Sequence, residues 1–306
     1  MYTSRRQFIK TGMMAVAGTI VLPEILSSTI HQTLDKRGFT TALQLYSVRD
    51  AMHKEPIGTL KSLAGMGYKY VEHANYSNRK FYGMTPSEFK KVLDDLGMQM
   101  PSGHTVLRSS HWDATKNDFT DEWKFLVEDA AFMGQKYVIS PSLEAGIRQN
   151  YDELLRFMEV FNQSGELCRK FGMQFGYHNH DFEFREQLNG IYLWDIMMQQ
   201  TDPEWVVMQL DTGNMFVAGA KAKEVLAKYP GRYANLHLKD MTANANGDGF
   251  ESTMMGKGVL PMKEIIELAI NSGTTLFVIE QEAYQGKDPL LCMQENYDMM
   301  LEWKYI

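Results

Sequence analysis

From about residue 40 onward the chain repeats one pattern. An amphipathic stretch with apolar positions every three to four residues closes on a Gly, and a short, mostly apolar run begins two or three residues later. The runs are GYKYVEH from Gly67, GMQMPSGH from Gly97, GQKYVISPS from Gly134, GMQFGYHNH from Gly172, GRYANLHLKD from Gly231 and GTTLFVIEQE from Gly273. TALQLYS (41–47) precedes them, and EWVVMQLDTGN (204–214) stands between the fifth and seventh. A Gly at the end of a helix supplies the left-handed backbone that a C-cap commonly needs. Between the runs, stretches such as TPSEFKKVLDDLG, DEWKFLVEDAAFMG and PMKEIIELAINSG carry helical periodicity. TPSE opens its helix with an N-cap Thr, a Pro in the first turn and Glu88 placed for a capping box. Eight strands alternating with eight helices predict a single closed (β/α)8 TIM barrel with parallel strands, spanning residues 36–306. An open doubly wound sheet is the alternative, disfavoured because no G-x-G-x-x-G turn follows the first strand.

The composition fits that size of core: 306 residues, 44% hydrophobic and 23% charged. The formal charge is −7, and the first 30 residues, with Arg5, Arg6 and Lys10 against Glu24, hold more base than acid. An acidic body argues against nucleic acid as a partner. Cys168 and Cys292 belong to no metal or redox spacing and read as core residues, with one disulfide between them left open.

Residues 1–35 read differently. TSRRQFIK followed by TGMMAVAGTIVL resembles a twin-arginine export signal, with Ser4, Arg5, Arg6, Phe8 and Lys10 at the expected places. The apolar run is too short to span a bilayer permanently, and no tidy A-x-A site follows, so cleavage and an uncleaved anchor both stay open. The expectation is a signal segment and linker read by the twin-arginine export machinery, with a periplasmic destination.

Polar residues gather at the C-terminal ends of the strands, where a barrel builds its functional mouth. They are Glu72 and His73 on the second strand, His104 on the third, and His178, His180 and Glu183 on or after the fifth. Asp211 follows on the sixth, His237, Lys239 and Asp240 on the seventh, and Glu280 and Glu282 on the eighth. A single strand-end His more often serves a hydrogen bond than a metal. Six strands converging on one rim are different, because clustered carboxylates repel unless a cation compensates them. A mixed imidazole and carboxylate set suits Mn²⁺, Zn²⁺, Co²⁺ or Mg²⁺.

MQLDTGN, NLHLKD and VIEQE, in that order on the last three strands, resemble the xylose isomerase-like TIM barrels, which include sugar isomerases, epimerases, inosose dehydratases and endonuclease IV. The resemblance covers residues 40–303. It implies one divalent metal held by Asp211, His237 and Glu280, with the fifth-strand Glu of the family replaced here on or near His178. His178 and His180 alternate onto one face of the strand, so one is expected as a ligand and the other as a substrate or proton-transfer residue. Glu183 is a further candidate for the missing carboxylate.

A metal beside carboxylate and imidazole bases suits a sugar carbonyl, which it polarises while a base removes the α proton. His180, Glu282, Lys239 and Glu183 are the candidate catalytic residues; Glu72, His104, Tyr46 and Trp112 are candidates for binding the substrate. Export and the lack of a phosphate cradle favour a non-phosphorylated sugar or keto-sugar. Isomerisation or epimerisation is the leading expectation. A lyase or hydratase acting on a 3-keto sugar or glycoside, and a catalytically silent sugar-binding barrel, are the alternatives; a homo-oligomer stays open. The Gly- and Asn-rich stretch 241–258 reads as a lid or partner contact.

Overall fold

The computed structural model describes residues 38–306; the segment read as signal and linker, residues 1–35, lies outside the described residues. Eight strands form the frame: β1 Thr40–Gln44, β2 Tyr70–His73, β3 Gln99–His104, β4 Tyr137–Ser140, β5 Gln174–His178, β6 Val206–Asp211, β7 Tyr233–Leu238 and β8 Leu276–Ile279. Each pairs in parallel with the next, and β8 returns to β1, closing the barrel. Closure removes the open-sheet alternative.

One main helix follows each strand: α1 Pro56–Met66, α2 Pro86–Asp95, α3 Asp121–Phe132, α4 Tyr151–Lys170, α5 Leu193–Gln200, α6 Ala222–Lys228, α7 Met262–Asn271 and α8 Pro289–Glu302. The six Gly residues that punctuate the pattern all have left-handed backbones, with φ from 67° to 112°. Gly67 is the most constrained, since a Cβ there would also collide with the Tyr297 hydroxyl on α8. The capping box at α2 forms as the sequence predicts, Thr85 and Glu88 each bonding the other's backbone N–H.

Two apolar layers result. Outward-facing strand residues and the inner faces of the helices form the large core, which includes Cys168 and Cys292, both buried and free. Ala42, Tyr137, Ile139, Val207, Leu276 and Val278 form a second, smaller cluster of strand residues. A further ladder of inward-facing strand residues is polar, and it carries the site. The stretch after β7 is a hairpin, residues 240–243 on 250–253, and Asp240 secures it by accepting from the backbone N–H of Met241, Gly256, Gly258 and Leu260. No helix among the described residues is long and apolar enough to cross a membrane.

Candidate active site

Four strands bring the predicted quartet together. His178 ends β5, Asp211 ends β6, His237 lies one residue before the end of β7, and Glu280 follows β8 directly. One ligand atom from each lies within 4.8 Å of the others, and all four residues are buried. His237 Nδ1 is 2.9 Å from Glu280 Oε2 and 4.0 Å from Asp211 Oδ2, while His178 Nε2 is 3.8 Å from Asp211 Oδ2. Asp211 Oδ1 caps the following turn by accepting from Asn214 N at 2.7 Å, and Oδ2 is buried without a hydrogen bond. Burial raises the Asp211 carboxyl above its ordinary range, against the nearby Lys239. Asp211 Oδ2 is instead ion-paired with the Lys239 ammonium at 3.0 Å, and its surroundings of two imidazoles and a second carboxylate form a donor set that a divalent cation fits. The set of two nitrogens and two oxygens matches Zn, Mn, Co or Mg chemistry.

Glu72 lies beneath this quartet rather than at the rim. It is fully buried and accepts from Gln44 Nε2 at 2.7 Å, Gln209 Nε2 at 2.9 Å and His237 Nε2 at 2.6 Å, with His104 Nε2 at 3.1 Å. A carboxylate so engaged is not presented to substrate hydroxyls, and Glu72 does not line the cavity. Burial alone would raise its pKa, but His104 and His237 hold it well below the usual range. In turn, burial lowers the His237 pKa and is outweighed by Glu72 and Glu280, which push it up to about 10. The bond from Nε2 to Glu72 leaves Nδ1 toward Asp211 and Glu280, the orientation a ligand needs. His104 stacks on His237 with ring centroids 4.9 Å apart, and His104, His178 and His237 form a second, all-imidazole cluster within the same 4.8 Å.

Lys239 reaches the same carboxylates. Its ammonium is 3.0 Å from Asp211 Oδ2 and 2.9 Å from Glu280 Oε2, and it pairs with Glu282. Burial works against its charge, but Asp211, Glu280 and Glu282 keep its pKa well above the ordinary lysine value. His180 stands opposite in character. Burial and Lys239 lower its pKa, so the ring is neutral, and its Nδ1 has no hydrogen-bond partner among the described residues. It stacks nearly parallel on Phe182, with centroids 5.7 Å apart and a 7° tilt.

Glu183 proves to be a support for that ring. A short helix, Phe182–Arg185, folds it back into the interior, where the Tyr177 hydroxyl donates to one carboxylate oxygen and the His180 backbone N–H donates to the other at 2.8 Å. Both oxygens are taken, and Glu183 belongs to neither ligand cluster nor the cavity wall. Burial pushes its pKa up to about 8 from an ordinary 4.5. The folded protein therefore holds a proton that the unfolded chain releases, and stability falls as pH rises across that window. Glu183→Gln is expected to remove this slope, read as the difference between urea midpoints at pH 5 and pH 8; an unchanged slope would assign it to another group.

His178 and Glu280 of the quartet line a cavity of about 1000 Å³, with Asp211 and His237 buried behind them. Tyr46, His104, His178, His180, Lys239, Glu280 and Glu282 line one part of it. Trp112 does not; its ring packs edge-on against Phe119, centroids 4.9 Å apart, within a hairpin after β3. Three polar residues escaped sequence reading. Gln44 and Gln209 clamp Glu72, and Asn179, inside the HNH run, ties β5 to β6 by accepting from Asp211 N at 2.8 Å. Gln209 lies two residues before Asp211, and that alternation was the available signal.

Residues 60–303 match the family described as Xylose isomerase-like TIM barrel, and the chain belongs to that family. An inosose dehydratase of Clostridium beijerinckii is 26% identical over 200 residues, which is 60% of this chain and 63% of that protein, so the match spans less than two thirds of this relative. A solved sugar phosphate isomerase/epimerase from Parabacteroides distasonis superposes with a TM-score of 0.73 at 24% identity, covering 86% of this chain and 93% of the other. A xylose isomerase-like TIM barrel protein from Mycobacterium smegmatis, solved in complex with magnesium, gives a TM-score of 0.62 at 18% identity over 86% of this chain and 96% of that one.

Proposed function

We propose that this barrel is a divalent-metal-dependent isomerase or epimerase of a non-phosphorylated sugar or keto-sugar, acting by removal of a proton next to a carbonyl. The observation that carries this reading is the convergence of His178, Asp211, His237 and Glu280 at one end of the barrel. These four residues would hold the ion, which supplies Lewis-acid polarisation of a carbonyl when bound. His180, neutral and beside the ligands, is the base that takes the α proton. Lys239 keeps an ammonium at the cavity wall to stabilise negative charge developing on the substrate oxygen. Glu282, 42% exposed along its side chain and paired with Lys239, is placed to return a proton. The charged cavity lining mixes Arg79, Arg108 and Lys239 with Glu122, Glu280 and Glu282, which favours a neutral sugar over a phosphorylated one.

A second outcome of the same first step, elimination or hydration on a 3-keto sugar, is supported by the name of the curated relative, inosose dehydratase. The test is incubation of the metal-loaded protein with ketoses and keto-sugars in D₂O. Deuterium at the carbon next to the carbonyl without loss of water supports isomerisation or epimerisation, whereas an enone absorbance supports elimination. His180→Ala should slow either by roughly 10²–10⁴-fold. Binding without exchange or elimination would leave a sugar-binding barrel. Export by the twin-arginine route belongs to this proposal, and Arg5→Lys with Arg6→Lys should retain the protein in the cytoplasmic fraction of cells.

A further inference from the structure

The cavity extends well past the residues that the chemistry uses. Its volume, about 1000 Å³, stands at the top of the roughly 300–1,000 Å³ range of pockets that enclose drug-sized ligands, so a single sugar ring would leave much of it unfilled. The additional wall comes from the segment after β2 and from the start of α3: Asn75, Tyr76, Asn78, Arg79, Glu122 and Phe125. We propose that this wall is a second sugar subsite, so that the substrate is a disaccharide or other glycoside whose reacting ring sits at His178, Asp211, His237 and Glu280. This rests on the reading of the cavity as a sugar site and names the substrate class it takes.

The subsite is built before any ligand arrives. Residues 76–77 and 80–81 form a hairpin whose two turn residues, Asn78 and Arg79, both have left-handed backbones, at φ 50° and 57°. Such a turn favours Asn and Gly, and an Arg there costs steric strain that the fold must offset. The offset is visible on α3. Arg79 Nε and Nη2 both donate to the Asp129 carboxylate, Nε at 3.0 Å, and the Tyr76 hydroxyl donates to the same group at 2.7 Å. Asp129 is 4% exposed, so the hairpin is pinned to a buried anchor.

That anchoring fixes a surface suited to a sugar ring. The Arg79 guanidinium lies over Phe125, its central carbon 4.4 Å from the ring centroid, and Phe125 remains 38% exposed beside the cavity. Arg79 Nη1 has no hydrogen-bond partner among the described residues, and Asn75 and Asn78 add amide donors and acceptors along the same wall. An aromatic and guanidinium shelf with neutral amides is complementary to the apolar face and hydroxyl edge of a sugar. The charge of Arg79 is already matched by Asp129 and, at 3.9 Å, Glu128, and this disfavours an anionic group as the occupant. Rigid placement lowers the ordering cost of binding, which is the return for the strained turn.

The experiment is titration calorimetry of the metal-loaded protein with cellobiose, maltose and gentiobiose, each against glucose. The parent should bind at least one disaccharide about tenfold more tightly than glucose. Phe125→Ala should erase most of that advantage without changing glucose binding. Asn78→Gly, which keeps the left-handed turn while removing the amide, should weaken the disaccharide alone. Phe132→Ala, an exposed aromatic on the same helix outside the cavity lining, should behave as the parent. Equal binding of glucose and all three disaccharides, or an advantage untouched by Phe125→Ala and Asn78→Gly, would overturn the subsite and leave the sugar reading standing. Failure of every sugar to bind any form would overturn both.

Discussion

Replacing Asp211 and His237 together by alanine is expected to strip the protein of bound metal. Elemental analysis of the parent, purified without added metal, should find close to one equivalent of Mn, Zn, Co or Mg, and the double variant little. The substitution removes one oxygen and one nitrogen from a cluster whose four ligand atoms lie within 4.8 Å, leaving His178 and Glu280 too few to hold an ion. Glu282→Gln is the control, because that carboxylate touches Lys239 but belongs to no ligand cluster. Ligation also requires His237 to give up a proton that Glu72 and Glu280 hold to about pH 10. Parent affinity should therefore rise with pH through neutrality, by about tenfold per unit for one displaced proton. A parent that takes up none of the four ions even after soaking would remove the Lewis-acid mechanism and leave the sugar-binding barrel as the leading alternative.

The frame of this site was legible because helix ends and strand ends are marked by residue type. Gly67, Gly97, Gly134, Gly172, Gly231 and Gly273 all take the left-handed conformation that other residues adopt at a cost, so the pattern located six of the eight strands directly. Asp211, His237 and Glu280 were marked by their motifs, whereas strand alternation narrowed the fifth-strand candidate only to His178 or His180. Depth was not legible. Glu72 occupies the third position of β2 as Asp211 occupies the last of β6, yet it pairs with Gln44 and with Ser102, two residues below His104. Strand stagger in the barrel, with a register shift between Tyr70 and Glu72, sets that level, and neither appears in a one-dimensional pattern. Glu183 was misplaced for a different reason: the four-residue helix that turns it inward is too short to leave a periodicity. Gln44 and Gln209 went unnoticed because neutral amides carry no chemical signature until their partner is known.

Glu72 consequently carries the second large effect. Glu72→Ala is expected to cost about 3–5 kcal/mol of stability, the range for deleting one partner of a buried charge pair. It leaves Gln44 Nε2, Gln209 Nε2 and His237 Nε2 facing a void in the barrel interior, with a charged imidazole uncompensated on that side. Metal affinity should fall by roughly 10–100-fold, because His237 is then free to turn Nδ1 away from Asp211 and Glu280. Glu72→Gln separates the two effects: it preserves the volume and should lose less stability, while the loss of negative charge beside His237 still weakens the metal. The pH dependence gives an independent check. The folded pKa of Glu72 lies well below its ordinary value, so its contribution is complete above the ordinary carboxylate range and is lost as pH falls toward the depressed value. Urea midpoints of parent and Glu72→Gln should therefore converge on acidification. A Glu72→Ala protein with parental stability and parental metal affinity would mean that Glu280 alone suffices to orient His237.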